Sequence, residues 1–436
     1  GMASGGGAAP VLTRAEVERF AAALAGLDAA VDDAARIALL SALESVKGAV
    51  AAAQARVSVE LWASRVAADA ARGVPLEHRG DGVAEEIALA RHESPSRGAT
   101  HLGLARALVV DLPQTMAHLA AGRISEWAAT MVHQATVVLE PGDRRTVDAR
   151  LAADLPLLSD AQAGAAARGA AHVVDPASAV RRVRAAMAER RVTMRPAPDC
   201  MAQVTAFLPA AQGMAVYSAL SAAADSVRAG GGDDRSRGQV MADTLVERIT
   251  GQKQASDVPV TVNVVMSEAS LVAGHDGAGR LQGYGPVPVA VLAQLTRSGK
   301  AAIRRLYTAP TTGRLVAMDS QARAFPAGLA ELIALRDQDC AIPFCGAPVR
   351  HTDHSVAHRL GGATSFANGQ GMCERHNHVK ELPGWRTTRL STHSVSVTTP
   401  SGHRYDATAP PPLGWGTRSA DEVYSPSEQR CLRLLS

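Results

Sequence analysis

Four residues in the C-terminal third have the types and spacing of a closed metal site. Cys340 and Cys345 form a Cys-x4-Cys pair, and Cys373 and His376 form a Cys-x2-His pair. Three thiolates and one imidazole suit tetrahedral zinc, and four protein ligands make such an ion structural and not catalytic. It would tie together two loops with little core between them. A second set is interleaved with the first: Asp353-His354, Gly361-Gly362, Asn368, Asn377 and Lys380. A carboxylate and an amide oxygen can hold a hard divalent cation while leaving waters in place. An imidazole titrating near neutrality can take a proton from one of those waters. That combination is able to activate a water for hydrolysis. Taken singly, the same residues have plainer readings. Asp353-His354 could be a turn pair on a surface strand, Asn368 a turn residue before Gly369, and Lys380 a solvated helix charge. The case rests on concentration: residues 331–400 hold His351, His354, His358, His376, His378 and His393, six of the 14 histidines, and three of the five cysteines.

In order and spacing, Thr352-Asp353-His354, Gly361-Gly362, Asn368 and Cys373-x2-His376-Asn377-x2-Lys380 resemble the HNH endonuclease family. The resemblance implies a β-hairpin followed by a helix, wrapped around one divalent metal. It implies His354 as general base, and Asp353 and Asn377 as ligands of Mg²⁺ or Mn²⁺. Asn368 would brace the connecting loop and help orient the base, and Lys380 would face a DNA phosphate. His358 and His378 would be in reserve for metal or phosphate. Two departures stand out. Ser355-Val356-Ala357-His358 lacks the proline that many relatives carry, and Gly369-Gln370-Gly371 replaces apolar residues. Two glycines weaken a strand, so they put the rigidity of the site in doubt.

The positioning elements must come from a chain of 436 residues, long enough for two or three domains. Hydrophobic residues make up 47% but aromatics only 3%, so packing relies on Ala, Val and Leu. A stacking platform for single-stranded nucleic acid is thereby disfavoured. A formal charge of +3 excludes a strongly polybasic protein but leaves room for a local basic face. Five cysteines do not make a disulfide scaffold; Cys200 and Cys431 read as ordinary thiols. No signal-peptide pattern opens the chain and no run of about 18 apolar residues occurs. The expectation is therefore a cytoplasmic protein with no membrane partner.

Residues 1–12 are rich in Gly and Ala and read as a flexible N-terminus. Helical periodicity predicts a helix from the Thr13/Glu16 capping box to about Leu27, and a long helix or helical pair over 30–73. Further helices are expected from Ser94-Pro95, Leu112-Pro113, Ser125 and Asp175-Pro176, and at about 211–228 and 235–250. Strands are expected at 192–194, 201–207 and 258–265, with a hairpin over 303–318. Arg181, Arg182, Arg184, Arg190, Arg191 and Arg195 cluster with only Glu189 to oppose them. They could bind the phosphates of double-stranded DNA, or could be a solvated helix face. Leu112-Pro113-x-Thr115, the run 119–125, the Arg-rich helix from Asp175 and Ala242–Val246 resemble the domain of unknown function 222 that precedes the nuclease in many actinobacterial HNH proteins. The expected fold is mainly α with a small α+β portion. A helical accessory domain with a small sheet would span 13–325, a zinc-stapled ββα-metal (HNH) nuclease domain 326–400, and a C-terminal tail 401–436. The expected function is a metal-dependent DNA endonuclease; the alternative is a non-catalytic zinc-containing DNA-binding or regulatory module. Cutting both strands with one site would favour a homodimer.

Overall fold

The computed structural model describes residues 12–27, 32–254, 264–265, 278–281, 284–288, 290–292, 319–320 and 324–411. Most of the strand expected at 258–265, the hairpin expected at 303–318, Cys431 and residues 412–436 lie outside them. The described part is mainly helical with small antiparallel sheets, and it divides into two compact units.

The first unit comprises residues 1–57 and 104–175. Its helices are α1 (Arg14–Ala25), the leading part of α2 (Asp33–Ala71), and, beyond α3 (Val83–Ala90), the end of α4 (Pro95–Val110). Then follow α5 (Pro113–Ala120), α6 (Glu126–Thr136), α7 (Pro141–Leu151) and α8 (Asp160–Val174). The expected helix or helical pair over 30–73 is one continuous helix, α2. By length and composition alone α2 could cross a membrane, but Arg36, Glu44, Lys47, Arg56 and Glu60 interrupt its apolar runs. The core uses small residues: Ala128, Ala129, Ala135, Ala163, Ala167 and Ala171 are buried beside Leu108, Leu119 and Val132. Close packing shows at Gly122, which has φ +65°, where a Cβ would overlap the Ser45 backbone. No side chain of its own caps α5. Buried Asp148 of α7 does so instead, accepting from Gln114 N at 2.6 Å and Thr115 N at 3.0 Å.

The second unit comprises residues 58–103 and 176–436. After α9 (Ser178–Ala188), β1 (Arg191–Ala197) and β2 (Met201–Phe207) form an antiparallel hairpin. Helices α10 (Ala210–Ala229) and α11 (Arg237–Thr250) pack on each other. Short strands β3 (Val264–Val265), β4 (Ala278–Leu281) and β5 (Gly285–Pro288) make a small sheet. β6 (Asp319–Ser320) leads to α12 (Ala327–Asp337) and then β7 (His351–His354). β6 pairs with β8 (Thr364–Ser365), and β7 pairs antiparallel with β9 (Gly369–Met372). Helix α13 (Glu374–Val379) follows at once. Strands β10 (Arg386–Ser391), β11 (Ser394–Thr398) and β12 (Arg404–Thr408) form a meander. Strand β12, which lies within the tail expected from 401, completes this sheet.

The expected boundary near 325 also misses a participant. Leu89 of α3 shares one apolar cluster with Ile342, Met372, Val379, Trp385 and Val397. The buried carboxylate of Glu85 pairs with Arg375 of α13. Glu86 accepts from Arg65 Nη2 at 3.0 Å and from Ser401 N at 2.9 Å. An eight-residue helix far upstream thus supplies part of this module's core.

Candidate functional site

The four metal-type donors converge. Cys340 and Cys345 come from the loop after α12, while Cys373 is the N-cap of α13 and His376 its third residue. All four are buried and their donor atoms lie within 4.8 Å of one another. Cys345 Sγ is 3.8 Å from Cys373 Sγ; His376 Nδ1 is 3.5 Å from Cys340 Sγ and 3.6 Å from Cys373 Sγ. A tetrahedral ion about 2.3 Å from sulfur and about 2.0 Å from nitrogen has edges of about 3.8 Å and about 3.5 Å. The quartet therefore fits an ion of that size and could hold one. The His376 N–H, 3.4 Å from Cys373 Sγ, adds a donor to the sulfur.

The β7–β9 pair and α13 build the second site. Side chains alternate along β7, so Asp353 and His354 point to opposite faces. On one face, the His354 ring packs 4.6 Å from Phe325 and 5.6 Å from His358. His354 Nε2 lies 2.9 Å from Thr364 Oγ1. Its Nδ1 is 3.8 Å from Asp353 Oδ1. Burial pulls the imidazole below its ordinary pKa, with Asp353 opposing, so it is a neutral base at neutral pH.

On the other face, Asp353 meets α13. Its Oδ1 accepts from His354 N at 2.7 Å, and its Oδ2 lies 2.6 Å from Lys380 Nζ. Burial raises the carboxyl's pKa, but the Lys380 bond and the backbone donor outweigh it and hold the group below its usual value. Lys380 is raised for the matching reason: its bonds to Asp353 and Glu381 exceed the burial penalty. Lys380, expected to face a DNA phosphate, is here paired with Asp353. Its side chain is only 11% exposed, because an ammonium beside a half-buried carboxylate gains more from pairing than from water. One turn earlier, Asn377 Oδ1 is buried and has no hydrogen-bond partner among the described residues. His378 is exposed, as is His358.

Asn368 braces the loop. Its Oδ1 accepts from Val356 N at 2.8 Å, and its Nδ2 donates to Val356 O at 3.0 Å and Ala363 O at 2.8 Å. A Cβ at Gly362 would overlap Val356 O, which explains the second glycine of the pair. The glycines of β9, read above as weakening, instead permit contact. A Cβ at Gly369 would overlap the Ile333 methyl and stand 2.7 Å from Phe325; one at Gly371 would stand 2.7 Å from Val349. Both face α12, and the strand is formed.

Sequence reasoning missed what holds β9 to α12. Arg336 is 1% exposed, donates to Asp337 Oδ1 at 2.6 Å and Oδ2 at 2.8 Å, and reaches Gly369 O at 2.7 Å. Asp337 Oδ2 in turn accepts from Gly371 N at 2.6 Å. Arg389 also donates to Gly369 O, and burial followed by repulsion from Arg336 pulls its pKa down to about 10. An adjacent Arg-Asp pair at a helix end carries no sequence signal that it will be buried.

The upstream arginines are spread over two elements and the turn between them. Arg181, Arg182 and Arg184 are on α9, Arg190 is at the turn, and Arg191 and Arg195 are on β1. Arg182 bonds Ser178 Oγ, Arg191 lies over the Phe207 ring, and Arg195 bonds Gln203.

The family model described as "Domain of unknown function (DUF222)" matches residues 37–337. The match ends before Cys340. Among curated proteins, two uncharacterized proteins of Mycobacterium tuberculosis are similar. Rv3776 is 32% identical over 132 residues, 29% of this chain and 24% of the relative. Rv2100 is 33% identical over 126 residues, 28% of this chain and 22% of the relative. The chain thus matches about a quarter of the length of these relatives. No solved structure matches.

Proposed function

Because the chain belongs to the DUF222 family, whose description names no chemistry, we propose its activity from the site downstream of the matched residues. The reading is a metal-dependent HNH-type endonuclease that hydrolyses phosphodiester bonds of double-stranded DNA. Cys340, Cys345, Cys373 and His376 would hold a structural zinc. Asp353 and Asn377 would hold the catalytic divalent cation, Mg²⁺ or Mn²⁺.

One observation carries the reading. Asn377 Oδ1 is buried without a hydrogen-bond partner among the described residues, on the helical segment that Lys380 ties to Asp353. Buried amide oxygens rarely lack a partner. An amide oxygen left open one turn before the lysine that reaches Asp353 suits a hard cation. When bound, such a cation stabilises the charge that develops on the phosphate and leaving oxygen. The chain's own work is elsewhere. Thr364 Oγ1 engages His354 Nε2; in the tautomer in which Nε2 donates to that hydroxyl, Nδ1 is the acceptor for a water proton. Phe325 holds the ring in place, and Asn368 fixes the loop that follows it.

The second reading, a non-catalytic zinc-containing DNA-binding or regulatory module, also has an observation in its favour. The Lys380 ammonium occupies Asp353 Oδ2, where a cation would need a free carboxylate. Conversion of supercoiled plasmid by the zinc-loaded full chain separates the two. The nuclease reading expects nicking or cutting with Mg²⁺ or Mn²⁺, suppression by EDTA, and loss of at least about a thousandfold in His354→Ala with the fold retained. DNA binding without cleavage under every metal condition would leave the second reading.

A further inference from the structure

Gln370 is the anomaly of the strand β9. It is fully buried at 0% exposure, yet neither its Oε1 nor its Nε2 has a hydrogen-bond partner among the described residues. Its neighbours Gly369 and Gly371 face α12, and Met372, which shares its face, sits in an apolar cluster. A leucine would serve that position better, since an unpaired buried amide costs free energy.

The register says where Gln370 points. It stands directly opposite Asp353 across the β7–β9 pair. Opposed residues share a face, with Cβ atoms about 5 Å apart. That is the face on which Asp353 meets Lys380 of the α13 segment. Two buried amides without a hydrogen-bond partner among the described residues, Gln370 opposite Asp353 and Asn377 on α13, thus come from elements that pack on each other.

We propose that Gln370 supplies a third side-chain oxygen to the cation held by Asp353 and Asn377. The proposal rests on the nuclease reading above and extends it to a position where that resemblance offers no role. Two amides and one carboxylate make an all-oxygen set with a single formal negative charge, suited to Mg²⁺ or Mn²⁺ and poor for softer metals.

The test is Mn²⁺ titration of the zinc-loaded full chain, read as free Mn²⁺ by electron paramagnetic resonance. Gln370→Leu should weaken Mn²⁺ binding at least about tenfold, the lower end for losing a group at a metal site. Its zinc content should be unchanged. Its unfolding temperature without Mn²⁺ should be equal to or above that of the wild type, because an unpaired amide has been removed. Gln370→Glu, with its added charge, should bind Mn²⁺ more tightly. If Gln370→Leu does not fold, Gln370→Met carries the same expectation.

Wild-type Mn²⁺ affinity in the folded Leu or Met variant, with Asn377→Ala weakened, would overturn the role of Gln370 and leave the nuclease reading standing. A lowered unfolding temperature with unchanged Mn²⁺ affinity would overturn it too, because a structural amide behaves that way. If Asp353→Ala and Asn377→Ala also bind Mn²⁺ like the wild type, the cation site fails as a whole.

Discussion

Lys380 Nζ lies 2.6 Å from Asp353 Oδ2, so one ion pair ties the helical segment to the hairpin at the carboxylate on which the hydrolytic reading depends. Glu381 bonds the same ammonium. The lysine both holds the two elements together and places a positive charge where a divalent cation would have to settle.

Removing that charge should help the cation. Lys380→Met keeps the aliphatic stem and frees Asp353. The expected outcome is Mn²⁺ binding tighter by about tenfold, or about 1.4 kcal/mol, a modest value because Asp353 is partly exposed to solvent. Isothermal titration of the zinc-loaded variant measures it. An affinity equal to the wild type would mean that no cation competes with the lysine for Asp353.

Three crowded, buried thiols cannot all ionise without a cation, so the quartet should depend on its metal. Cys345→Ser should reduce zinc from about one ion per chain to well below it, and should lower the unfolding temperature by about 10 °C or more. Elemental analysis and calorimetry give both numbers. A variant that keeps its full zinc content would remove Cys345 from the ligand set.

Gly369→Ala tests the contact with α12. The added methyl meets Ile333 and Phe325, and overpacking of this kind costs about 1–3 kcal/mol. Urea denaturation should detect the loss, while zinc content stays as in the wild type. A stability equal to or above that of the wild type would show that the strand can shift to make room.

The first unit should be sensitive to acid through His133. Burial lowers its pKa below the ordinary 6.5, and the charge of Arg144 adds to this against the opposition of Asp111. Its Nδ1 is buried without a hydrogen-bond partner among the described residues. The unfolded state therefore binds the proton more tightly than the folded state. The contribution to stability is complete above the unfolded pKa and shrinks as pH falls through it toward the folded value. Between about pH 7 and about pH 5 the wild type should lose more stability than His133→Leu. Parallel denaturation curves for the two proteins across that range would exclude the effect.

Much of the site was legible in the amino-acid order because metal donors announce themselves. Cys340-x4-Cys345 and Cys373-x2-His376 are rare residue types at short spacing, and short spacing is local geometry. Helix limits were equally local: the Thr13, Ser125 and Ser236 caps lie where hydroxyls precede periodic apolar runs. Packing decided the rest. No periodicity tells that Glu85 will pair with Arg375, 290 residues away. None tells that Arg336 and Asp337 will be buried together, that Lys380 will pair with Asp353, or that Gln370 will be fully buried. Those outcomes depend on which surfaces meet and on how much water they exclude, and both are properties of the folded chain, not of any stretch of it.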